Sequence, residues 1–190
     1  MCGIPLVLVL ALTAAAAAYV LLYVGAALKS YARWRGMRLV TCPESKRAAA
    51  VELDAAHAAV LTALGFPRFR LKDCSRWRER GPCEQPCLRQ IEQASEDCLV
   101  RQIVTRWYEG KRCAYCRKPV SSVDWLHKPS LRDGRGRTVQ WNDVPPENLP
   151  EVLATFAPVC WSCHMTETFR RVHPELVLER RLGTGVGVRG

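Results

Sequence analysis

Cys113-Ala114-Tyr115-Cys116 and Cys160-Trp161-Ser162-Cys163 are the two stretches whose reading decides the fold of the C-terminal half of this 190-residue chain. A C-x-x-C turn presents two sulfurs toward one point, and two such turns complete a four-thiolate, tetrahedral shell. The spacing predicts one structural zinc held by Cys113, Cys116, Cys160 and Cys163. Four thiolates leave no open position for water or substrate, so a site of this kind stabilises and does not catalyse.

Around the two pairs, the sequence predicts a module over residues 111–178. A hairpin is expected through Asp133-Gly134-Arg135-Gly136, then a proline-delimited helix over residues 147–156 and a last helix over residues 163–172. Residues 179–190 form the expected tail. Its Gly- and Arg-rich part, residues 182–190, has no apolar periodicity and is expected to be flexible.

Toward the N-terminus, residues 1–28 carry no charged side chain, and residues 4–28 form an apolar run. About 25 residues at roughly 1.5 Å each cross a hydrocarbon layer of about 30 Å, so residues 1–28 read as a single transmembrane anchor. Lys29, Arg33, Arg35 and Arg38 follow at once. Positive flanks stay inside, which predicts an external N-terminus and a cytoplasmic body. A cleaved signal peptide is the competing reading, but it normally has a basic start and a shorter apolar core. Cys2 is a candidate for acylation. Residues 29–39 read as a basic juxtamembrane collar, with Tyr31 and Trp34 suited to the headgroup layer.

The central region, residues 40–110, contains a cysteine-bearing hairpin and helices. Strands are expected over residues 38–42 and 48–53 around the turn Pro43-Glu44-Ser45-Lys46. Asp54 is placed to cap a helix over residues 55–64, ended by Gly65 and Pro67. Residues 73–86 are poor in apolar side chains and read as a loop needing cross-links or a metal. Helices are expected over residues 88–94 and 99–108. The second of these repeats Leu99, Val100, Ile103, Val104, Trp107 and Tyr108 at helical spacing.

Ten cysteines are far above ordinary usage. Cys42, Cys74, Cys83 and Cys87 are candidates for a second metal site, with Cys98 as a spare. Their irregular spacing leaves disulfides, free thiols and iron–sulfur ligation open. The fold class is α+β: one transmembrane helix followed by a small, loop-rich, zinc-stabilised domain.

Cys160-Trp161-Ser162-Cys163-His164 also matches C-x-x-C-H, the attachment motif of c-type haem, with His164 as the iron ligand. That reading requires an external domain and leaves Cys113 and Cys116 without a purpose. The net charge of +10 permits contact with nucleic acid or anionic headgroups but requires neither. Trp125, Trp141 and Trp161 could stack on bases, although packing against a small zinc core is the simpler role.

The stretch from Cys113 to Phe169 resembles a treble-clef zinc finger of the HNH-nuclease type. The likeness lies in Cys113-Ala114-Tyr115-Cys116, His127-Lys128-Pro129, Glu147-Asn148-Leu149 and Cys160-Trp161-Ser162-Cys163-His164. The resemblance implies a zinc on the four cysteines, His127 as general base, His164 as a ligand to a catalytic magnesium and Asn148 as an orienting residue. Members of that family place an acid directly before the base histidine. Here that position is Leu126, and Asp124 is displaced by two. On a strand this moves the carboxylate about 6.6 Å along the chain. An oxygen-rich magnesium site lacking its main anionic ligand binds the ion poorly. The expectation is therefore a degenerate treble clef on a membrane anchor, serving binding or scaffolding as an accessory subunit of a membrane complex. A metal-dependent nuclease and a haem electron carrier are the alternatives.

Overall fold

The computed structural model describes residues 6–120, 123, 125 and 129–176. Cys2 and the tail over residues 179–190 lie outside the described residues. The chain divides into two compact units, Met1–Trp107 with Pro145–Pro150, and Tyr108–Val144 with Glu151–Gly190.

The first unit begins with α1 (Leu6–Trp34), 29 residues whose side chains up to Leu28 are mostly exposed. At about 1.5 Å per residue it is roughly 44 Å long. By length and composition this helix can span a membrane. It does not stop at residue 28 as expected, because residues 29–34 of the predicted collar are its last turns. Trp34 corrects the sequence reading directly: it is buried against Phe69, ring centroids 4.3 Å apart, and is therefore a core residue here.

A three-stranded antiparallel sheet follows, in the order β1 (Met37–Thr41), β2 (Ala48–Leu53), β3 (Leu71–Cys74). The β1–β2 hairpin falls where the turn residues put it, with Leu39 opposite Ala50. Helix α2 (Ala55–Ala63) starts at Asp54, whose carboxylate accepts the backbone N–H of His57 at 3.0 Å. The same carboxylate pairs with Arg70 at 2.6 Å, tying the helix start to the segment leading into β3. A side-chain cap of this type stabilises by about 1 kcal/mol.

The expected loop over residues 73–86 holds the end of β3 and a short helix, α3 (Trp77–Arg80). Leu71 and Cys74 are buried while Lys72 and Asp73 face out, so the strand is a half-buried edge too short and polar to show in composition. Helices α4 (Leu88–Gln93) and α5 (Val100–Tyr108) occupy the expected stretches. Val40, Val51, Leu53, Ala58, Leu71 and Ile91 form the centre of the core, with Trp34 at its edge.

Arg38, expected in the basic flank, is almost wholly buried. Its guanidinium donates to the carbonyls of Trp34 (2.7 Å), Arg33 (2.9 Å) and Gly36 (3.2 Å). Those carbonyls belong to the end of α1 and the turn after it, where helix C-termini are left without acceptor partners. A cation there also complements the negative end of the helix dipole.

In the second unit, β4 (Ser130–Arg132) is the middle strand of a second antiparallel sheet, between β5 (Thr138–Gln140) and β6 (Ala157–Val159). The β4–β5 hairpin turns through Asp133, whose carboxylate accepts the backbone N–H of Arg135 (2.9 Å) and Arg137 (2.8 Å). Leu131 and Val159 are buried between the strands, and the Tyr108 hydroxyl donates to the Ser130 carbonyl. Helix α6 (Leu149–Thr155) precedes β6, and α7 (Trp161–Val172) follows it two residues earlier than predicted.

Candidate metal centre

The first cysteine pair sits in a tight turn. The Cys113 N–H donates to the Lys118 carbonyl at 2.9 Å, and the Arg117 N–H donates back to the Cys113 carbonyl at 3.0 Å. Arg117 adopts φ 61°, the left-handed conformation needed to close the turn after Cys116. Cys113 is buried and Cys116 exposed.

The second pair sits on a different element. Cys160 is the extended residue before α7, with φ −74° and ψ 155°, and Cys163 falls in the first helical turn. Both sulfurs are thereby held at the positive end of a 12-residue helix, which favours thiolate.

What joins the two segments is β6. The Ala114 N–H donates to the Pro158 carbonyl at 2.8 Å, and the Cys160 N–H points at the Cys113 sulfur at 3.4 Å. The sulfurs of Cys116 and Cys160 are 3.7 Å apart. All four thiols lie within 4.8 Å of one another, a geometry able to hold a metal ion. The second sheet supports this group: the Tyr115 hydroxyl donates to the Gly136 carbonyl at 2.7 Å, and the Arg132 guanidinium lies over the Tyr115 ring. Sequence reasoning singled out the four cysteines that come together but not β6 or Tyr115, because backbone pairing of a three-residue, proline-containing strand leaves no local signature.

The electrostatics are those of thiols competing to ionise. Burial pushes the Cys113 thiol up, but the backbone N–H groups of Cys160, Cys116 and Tyr115 outweigh it and bring Cys113 down to about 6. Cys163 and Cys160 move the other way, through burial above all; at Cys163 the charge on Cys113 adds to the rise. One member of the group ionises first and its charge holds others protonated. A bound dication removes that repulsion, so metal binding and deprotonation are coupled.

His164 is buried on α7, with its ring 5.6 Å from that of Trp161 and Nε2 3.4 Å from the Gln140 side-chain nitrogen. Burial, helped by Arg171, lowers its pKa and keeps it neutral. His164 is not part of the thiol group, and among the described residues no other set of three Cys, His, Asp or Glu donors is as close. His127 and Asp124 lie outside the described residues. Asn148 belongs to the first unit, in a 3-10 turn (Pro146–Asn148) against β1 and β2. Trp125 and Trp141 are half-buried and meet edge to face, centroids 5.1 Å apart.

Of the central cysteines, Cys42, Cys74, Cys83 and Cys87 line one small cavity in the first unit. Cys98 does not; its thiol donates to the Gln90 carbonyl at 3.9 Å. Comparison of the chain with known protein families, curated proteins and solved structures yields no match. What fold and site define together is a mixed helix-and-sheet protein with one apolar N-terminal helix and a four-cysteine metal-binding group.

Proposed function

We propose that the chain is a single-pass membrane protein whose cytoplasmic body is organised by zinc at Cys113, Cys116, Cys160 and Cys163 and serves as a binding or scaffolding subunit of a membrane complex. The observation that carries this is the convergence of four thiols from two distant segments within 4.8 Å. Thiolate-only tetrahedral sets select zinc or iron, and a closed set has no place for substrate. Mutual approach of all four also favours a metal over haem, which would use Cys160 and Cys163 alone.

A cleaved signal sequence would satisfy the length and composition of α1 equally well. An anchor is favoured because α1 runs unbroken into the core, where Ser30 and Trp34 are buried and Arg38 caps its last carbonyls. The basic residues after the span favour a cytoplasmic body.

The cysteine turn, the β4–β5 hairpin and a helix opening on the second cysteine pair follow in the order of a treble clef, which supports that resemblance. Nuclease chemistry has less support: burial lowers the His164 pKa, and although Asp143 is near enough to act on it, His164 belongs to no group of three metal donors among the described residues. A binding role is supported by the side of α7 and the turn after it that exposes Met165, Phe169, Val172 and Leu176. Apolar side chains grouped in this way on a surface mark contact sites.

The test is affinity purification of the full-length protein from solubilised membranes, with metal analysis of the product. Zinc in the preparation together with a stoichiometric membrane-protein partner is the expected result. Magnesium-dependent cleavage of DNA, abolished in His127→Ala, would replace this reading with the nuclease one.

A further inference from the structure

The central cysteines come from four separate segments. Cys42 follows β1, Cys74 ends β3, Cys83 lies in the segment after Gly81, and Cys87 immediately precedes α4. All four line one cavity of about 30 Å³. That is room for a single water or ion, since one water needs roughly 10–15 Å³ by the same measure.

Local geometry at this cavity repeats that of the first centre. The Cys42 N–H donates to the Arg47 carbonyl at 2.9 Å, and the Lys46 N–H donates back to the Cys42 carbonyl at 2.8 Å. Cys113, Arg117 and Lys118 make the same pair of bonds, and Lys46 matches Arg117 in its left-handed φ, 56° against 61°. The turn Cys42-Pro43-Glu44-Ser45-Lys46-Arg47 is thus the counterpart of Cys113-Ala114-Tyr115-Cys116-Arg117-Lys118, with Ser45 where the second cysteine stands.

The residues that act on two of the sulfurs also stand at matching positions. The Cys42 thiol is lowered by its neighbours, Ser45 above all and then Glu44, whereas burial raises the Cys74 thiol and the backbone N–H groups of Arg76 and Trp77 act against that rise. In both cases these are the second and third residues after the cysteine, as Tyr115 and Cys116 are for Cys113. Backbone N–H groups near a sulfur favour thiolate, the form that binds metal, while burial holds Cys74 up and Cys87 at about 11 until a cation binds.

Two of the residues lining the cavity carry buried donors that an anionic occupant nearby would satisfy. Arg76 Nε and Trp77 Nε1 are buried without an acceptor among the described residues. Buried donors are almost always paired, and metal-bound thiolates are accepted partners of this kind. The other end of the Arg76 guanidinium is paired with Glu79 at 3.0 Å, which leaves Nε as the donor without an acceptor.

We propose that Cys42, Cys74, Cys83 and Cys87 form a second four-thiolate site for a single tetrahedral divalent ion, zinc by donor type. It is more open than the first centre, which alone among the described residues brings its donors within 4.8 Å of one another. Cys83 is exposed, and Cys42, Cys74 and Cys87 do not by themselves form such a group, so all four thiols draw together when the ion binds. On binding, each thiol releases its proton to solvent and each sulfur donates a pair to the ion. The proposal does not depend on occupancy of the first centre.

Cobalt(II) titration of the reduced, metal-free, full-length protein in detergent tests this. Two equivalents with the absorption of tetrahedral cobalt thiolate are expected for the wild type. One is expected for Cys83→Ser and one for Cys163→Ser, so that each centre is counted by itself. Cys83 is exposed, so serine there leaves the core intact. Wild-type protein gives a variant-free check by alkylation and mass analysis: Cys83, exposed in the metal-free chain, reacts early without zinc and is protected with it. A single cobalt equivalent in the wild type, or recovery of these four cysteines as disulfides from freshly isolated protein, would overturn the proposal.

Discussion

The sulfurs of Cys116 and Cys160 lie 3.7 Å apart although 43 residues separate them in the chain. That closeness depends on β6, which pairs with β4 and holds the Cys113 turn through the Ala114–Pro158 hydrogen bond. The metal group is therefore a tertiary structure, and its loss is felt throughout the second unit. Cys160→Ser is expected to lower metal affinity by more than the roughly 10- to 100-fold that follows loss of an outer hydrogen-bond partner. Limited proteolysis should then cut residues 108–176 far faster than in the wild type.

Metal retention should fall with acidification. Cys113 is lowered to about 6, whereas Cys160 and Cys163 are raised, so loading the site at neutral pH displaces protons from the raised pair. Affinity then rises with pH, and protons rebind as pH drops and expel the ion. Metal content after dialysis across a pH series should decline from neutral toward about pH 5, with more than one proton taken up per ion lost.

Arg38 makes a stability prediction independent of metal. Its guanidinium serves three carbonyls in a buried position; hydrogen bonds involving charged groups contribute about 1.5–3 kcal/mol each net of water, and the cost of burying the charge offsets part of the sum. Arg38→Ala is expected to destabilise the first unit by about 3–5 kcal/mol, read as a lower thermal midpoint. Arg38→Lys should recover little, because an ammonium does not reproduce the planar fork.

The secondary structure with strong local signals was legible in the sequence: the β1–β2 hairpin, the Asp54 cap, the apolar part of α1 up to residue 28 and both cysteine pairs fall where expected, although α1 itself runs on to Trp34. Elements defined by partners were not. The strands β3 and β6 have four and three residues, too few to display alternation, and exist because β2 and β4 offer edges to pair with. Arg38 and Trp34 read as membrane-flanking residues because their types are common there. Only the turn at Gly36 and the packing of Phe69 bring them inside. The gathering of Cys42, Cys74, Cys83 and Cys87 around one cavity was expected only as one of several fates of irregularly spaced thiols.

Partner binding through α7 should separate from metal binding. Met165 and Phe169 are about half exposed, and neither belongs to the thiol group. Replacing both with serine is expected to leave metal content unchanged and to reduce recovery of a membrane partner at least about tenfold, the effect of losing roughly 1.4 kcal/mol. Quantitative mass spectrometry of the purified complexes checks this.

Elemental analysis of the full-length protein, purified under reducing conditions and paired with its visible absorption spectrum, tests the metal centre most directly. A colourless protein with at least one zinc per chain, lost together with Cys113 or Cys160, is the expected result. A preparation coloured by haem or iron–sulfur, or one free of metal with Cys113, Cys116, Cys160 and Cys163 joined in disulfides, would contradict it.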